Sequence, residues 1–64
     1  MRLEVLEAEL RKLGWRPVHG DLAVTTRAWC RDGDPRIITT RRMPWIPMHI
    51  ARGILAAARK MPRL

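Results

Sequence analysis

Residues 22–42 read LAVTTRAWCR (22–31), DGDP (32–35) and RIITTRR (36–42), and this stretch decides the fold. Its first part alternates with period two, Leu22, Val24, Thr26, Ala28 and Cys30 on one side and Ala23, Thr25, Arg27, Trp29 and Arg31 on the other, as a half-buried strand does. Asp32-Gly33-Asp34-Pro35 is built of turn-forming residues, and residues 36–42 are rich in β-branched side chains. The two runs predict a β-hairpin. Closed symmetrically about Gly33-Asp34, it sets Trp29 opposite Ile38, Cys30 opposite Ile37 and Arg31 opposite Arg36. With the more apolar side inward, Cys30 is a small core hydrophobe, and the outer face gathers Arg27, Arg31, Arg36 and Arg42 around Trp29.

Upstream, Leu3, Leu6, Leu10 and Leu13 recur at the spacing of one helical face, with Glu4, Glu7, Glu9, Arg11 and Lys12 around the remainder. Acids in the first turns and bases in the last suit the helix dipole, and Gly14 supplies a stop. Residues 15–19 read as a short strand whose Pro17 offers no ladder donor, hence an edge strand, and His19-Gly20-Asp21 as the turn after it. Downstream, Pro44 and Pro47 make residues 43–47 a rigid connector. Pro47 then opens a second helix reaching to about residue 61, with Ile50, Ile54, Leu55 and Ala58 as its apolar stripe. His49, Arg52, Arg59 and Arg63 share its other side, bordered by Lys60. Trp15 and Trp45 fall at the two ends of the sheet and read as lids on the core. The order α-β-β-β-α predicts an α+β domain over residues 1–64, a three-stranded antiparallel sheet with both helices on one face.

Sixty-four residues suit one small core. The single Cys30 has no disulfide partner within the chain, and no paired Cys/His spacing suggests a structural zinc, so no metal or cofactor is expected. The carboxylates of the first seven residues argue against a secretory leader, and the longest apolar run, residues 54–58, is too short for a bilayer. A cytoplasmic protein is the expectation. The formal net charge is +7, and no acid follows Asp34, whereas Arg36, Arg41, Arg42, Arg52, Arg59, Lys60 and Arg63 do. Such a one-sided field points to a polyanion, RNA or DNA. Ser, Asn, Gln, Tyr and Phe are absent, so no amide side chain is present to read adenine, and phosphate and shape contacts are the expected mode.

Leu13-Gly14-Trp15 at the end of the first helix, the Asp32-Gly33 hairpin and Ala51-Arg52-Gly53-Ile54-Leu55 in the last helix resemble the HicA family of small toxin ribonucleases, whose last helix carries a Lys-Gly-Thr-Leu segment. The resemblance implies a double-stranded-RNA-binding-domain-like α-β-β-β-α fold and RNA as the ligand. The family's Gly-Ser-His motif at the start of the second strand falls on Gly20-Asp21-Leu22, so its catalytic histidine has no counterpart at that position. His19, in the same turn with Asp21 beside it, is the candidate to replace it as proton carrier.

Three functions are therefore open. The first is an RNA-binding module whose His49, Arg52, Arg59, Lys60 and Arg63 face and outer hairpin hold phosphates. There Trp29 either stacks on a base or only packs across the strand on Ile38. The second is a HicA-like, metal-independent ribonuclease working through His19. The third is an inhibitor or adaptor docking on an acidic protein such as a cognate antitoxin, with Trp29, Trp45 and Met48 as anchors.

Overall fold

The computed structural model describes residues 1–18 and 25–60. Helix α1 (Leu3–Lys12) is followed by strands β1 (Trp15–Pro17), β2 (Thr26–Arg31) and β3 (Asp34–Arg41) and by helix α2 (Met48–Arg59). The strands form one antiparallel sheet in the order β1-β2-β3. Both helices lie on one face of it, where Leu6 and Leu10 of α1 and Ala51, Leu55 and Ala58 of α2 close over Trp15 and Trp29 of the sheet. This is the α+β, α-β-β-β-α layout the sequence implies. Helix α1 ends where Gly14 takes up φ +90°, and Pro17 sits on an edge strand, where its missing N–H is harmless.

The face of β2 is the reverse of the expected one. Trp29 is 0% exposed and belongs to the core, its indole Nε1 donating to Thr40 Oγ1 at 3.0 Å, while Cys30 stays partly exposed. Period two fixes which residues share a face but not which face is covered. The indole, the largest apolar surface on the strand, settles that. Arg27 and Arg31 turn inward with it and find partners on the helices.

The hairpin register holds at Trp29↔Ile38 and fails nearer the turn, where Arg31 pairs with Asp34 and not with Arg36. Pro35 has no N–H for the ladder, and the Asp34 carboxylate accepts the Arg36 amide at 2.9 Å, so β3 bulges there and Asp32-Gly33 closes a tight turn with Gly33 at φ +77°.

Residues 42–47 are tied to the start of the chain. Leu3 N donates to Pro44 O at 3.1 Å and Ile46 N to Met1 O at 2.7 Å, which seats Ile46 in the core and leaves Trp45 60% exposed, not a lid. The α2 stripe is also turned from the expected one. Ala51 faces the core and Ile50 is 46% exposed, because the small side chains of Ala51 and Ala58 let the helix approach the sheet closely. Gly53, mid-helix, has nothing within 4 Å of where a Cβ would sit. Gly53→Ala is therefore expected to raise unfolding stability by about 0.5–1 kcal/mol, read as a higher midpoint in urea with an unchanged slope.

Candidate nucleic-acid interface

The basic residues of the hairpin do not form an outer surface around Trp29. Arg27 Nη1 donates to Glu7 Oε2 at 2.9 Å, tying β2 to α1. Arg31 reaches across the sheet to the C-terminal end of α2, donating to Ala58 O and to Lys60 O, each at 2.9 Å, and to Asp34 Oδ2 at 2.8 Å. Arg36 adds Ala57 O at 2.9 Å, Lys60 O and the same carboxylate. Trp15 Nε1 shares Ala58 O at 3.1 Å, and both guanidiniums lie over its ring, at 4.8 Å for Arg31 and 5.8 Å for Arg36. Orphan carbonyls at a helix C-terminus carry partial negative charge, and this cluster satisfies them with cations.

Asp34, with its side chain only 1% exposed, holds the two arginines together. Hydrogen bonding from the Arg36 guanidinium outweighs burial and, with the Arg36 amide and Arg31, keeps the carboxyl far below its ordinary value of 3.8. A carboxyl that ionises more readily folded than unfolded stabilises the fold fully above its unfolded pKa and loses that contribution as pH falls through the folded one. Thermal unfolding is therefore expected to shift steeply downward on acidification below about pH 4. Asp34→Asn should be less stable at pH 7 and show a shallower acid dependence; identical pH profiles for the two proteins would remove Asp34 from this role.

The same kind of pairing runs through the rest of the described chain. Glu4 meets Arg2 at 3.7 Å, Glu9 meets Lys12 at 3.3 Å and Asp32 meets Arg16 at 2.7 Å. Every described carboxylate side chain is thus already beside a cation, and Arg11 lies over the Trp29 ring at 5.5 Å. Among the described residues, the bases with neither a carboxylate partner nor a ring contact are Arg41 at the end of β3, Arg52 and Arg59 on α2 and Lys60 just after it, all exposed. The surplus of positive charge is therefore concentrated on the C-terminal half.

On α2, His49, Arg52, Ala56 and Arg59 follow the i, i+3, i+7, i+10 spacing of one face, and each is exposed. Lys60 borders them. Gly53, Ala56 and Ala57 keep the outward surface low between these side chains. Ile50 and Ile54 lie on the opposite flank, toward β3. Arg42 follows β3 and is exposed, its backbone N–H held by Thr25 O at 2.8 Å. The structure thus brings together His49, Arg52, Arg59 and Lys60. It commits Arg27, Arg31 and Arg36 to bonds within the fold, the last two reaching the Lys60 carbonyl, and it buries Trp29, so the base-stacking expectation for Trp29 is withdrawn. The candidate catalytic His19 and the Arg63 phosphate contact lie outside the described residues. Among the described residues no three His, Cys, Asp or Glu side chains gather in a way that could hold a metal ion, and no helix is long and apolar enough to cross a membrane. Comparison of the chain with protein-family models, curated proteins and solved structures finds no match.

Proposed function

We propose that this protein is a small nucleic-acid-binding module that rests the exposed face of α2, His49, Arg52 and Arg59, with Lys60 after it, on the phosphates of an RNA duplex. The observation that carries the reading is the distribution of charge. The described carboxylates are already paired, so these bases meet no competing anion among the described residues, and a polyphosphate backbone is the dense anion that matches them. A duplex is favoured over unpaired bases because Trp29 is buried and no indole lies on the basic face, whose one ring is the small imidazole of His49. The chain also has no Asn or Gln to read adenine, which leaves backbone and shape contacts as the main mode and arginine on guanine as the available base reader.

Arg52→Ala with Arg59→Ala is expected to weaken binding to a short RNA duplex at least tenfold in low salt while leaving the melting temperature unchanged, since neither side chain has a carboxylate partner among the described residues. Arg16→Ala, which removes a cation paired with Cys30 and Asp32 on the other face of the sheet, is the control and should change binding little. Equal losses in the two variants would mean that binding follows net charge and not this surface.

A further inference from the structure

The other flank of α2 carries a second surface. β3 is the last strand of the sheet, and its ladder to β2 places the backbone groups of Thr40 and Ile38 inward: Arg42 N donates to Thr25 O, and the carbonyl of Ala28 is taken by Val18, just after β1. Alternation then turns the N–H and C=O of Thr39 and Arg41 outward, and none of the described residues pairs with them. Beside this open edge runs a groove of about 650 Å³ lined by Thr39, Arg41, Met43, Ile46, Ile50 and Ile54. Ile50 and Met43 are nearly half exposed there, at 46% and 42%.

An open strand edge next to an apolar groove is the arrangement that accepts an added strand, main-chain bonds giving affinity and alternate side chains filling the groove. The charge pattern selects the occupant. Arg41 is a lining residue with no carboxylate partner among the described residues, no described acid lines the groove, and the chain carries +7. Two such edges paired across a two-fold axis would bring like charges together, so a second copy of the chain is disfavoured. Strand alternation separates the two chemistries: positions facing α2 meet Ile50 and Ile54, and positions on the other side meet Arg41. We infer that the β3 edge binds an extended segment of a partner protein in which apolar and acidic residues alternate, the apolar ones seated against Ile50 and Ile54 and the acidic ones beside Arg41.

The test is a titration of the full-length, isotope-labelled chain with a short peptide alternating valine and glutamate, followed by NMR. Saturable binding should shift the Thr39 and Arg41 amides and slow their exchange with solvent. N-methylating the ladder-facing amides of the peptide, or replacing its glutamates by lysine, should each weaken binding roughly tenfold or more, as should Ile50→Glu at its exposed site. The N-methylated peptide leaves the protein untouched, so its result stands whatever the substitution does to folding. No binding at millimolar peptide, equal binding of the N-methylated or lysine versions, or shifts confined to His49, Arg52 and Arg59 would overturn the inference. So would a concentration-dependent dimer that protects the same two amides. Because the duplex-binding face lies on the opposite flank, Arg52→Ala with Arg59→Ala should leave peptide binding unchanged, and the two readings fail or stand separately.

Discussion

Trp29→Ala is expected to leave no cooperative unfolding transition at room temperature, or one lowered by roughly 15 °C or more. Truncating a fully buried tryptophan costs about 3–5 kcal/mol, and a chain of this length has on the order of 3–10 kcal/mol of stability in all. The site has little room to recover. Trp29 sits among Leu6, Leu10 and Leu55 at the centre of the core, and the Thr40 hydroxyl that its indole satisfies is itself buried. Thr40→Val should show the smaller, polar part of the effect, about 1–3 kcal/mol, by leaving the indole N–H without its acceptor. The readout that separates this account from base stacking is a thermal melt set beside a binding assay: a Trp29→Ala protein that melts like the parent and has lost only RNA affinity would reverse the assignment of the strand faces.

Arg31→Met is expected to be the second most damaging change. The side chain is 13% exposed, and its guanidinium donates to Ala58 O, Lys60 O and Asp34 while covering the Trp15 ring. Methionine restores most of the apolar stem but none of the donors. Each charged hydrogen bond lost in a partly buried setting is worth about 1.5–3 kcal/mol, and the carbonyls at the end of α2 are left with Arg36 and Trp15 alone. Denaturant unfolding should show a midpoint well below that of Arg36→Met, whose side chain is the more exposed of the two. Amide exchange in the last turn of α2 should accelerate first. Equal midpoints for Arg31→Met and the parent would show that the clasp is not what fixes the helix end.

These two residues also mark where the sequence stops being legible. The leucine spacing of α1, the edge position that Pro17 requires and the Trp29↔Ile38 pairing are all local signals, and each appears in the fold. The covered face of β2 is not a local property. Alternation is the same whichever side is buried, and reading the side with more apolar residues as inward outvoted one large indole with several small groups. Arginine carries the same ambiguity. Arg31 and Arg36 are indistinguishable in sequence from Arg52 and Arg59, yet the bulge at Pro35 brings Asp34 beside the first two, and no described carboxylate pairs with the second two. The one available clue was Asp34 itself, the last acid in the chain, flanked by arginines at close spacing on both sides of a turn. The pairing of residues 1–3 with 44–46 joins segments far apart in sequence and has no pattern to announce it.

What the structure changes about function follows from the same distinction. A uniformly basic C-terminal half becomes two populations, arginines that close the fold and arginines that face outward, and only the second is available to a polyanion. The most direct measurement of that claim is the salt dependence of binding to an RNA duplex, compared between the parent and Arg52→Ala with Arg59→Ala. With Arg52, Arg59 and Lys60 each neutralising a phosphate, the slope of log affinity against log salt should be roughly −3 for the parent and shallower by about two for the variant. A parent slope near zero, or a variant slope equal to the parent's, would contradict the account.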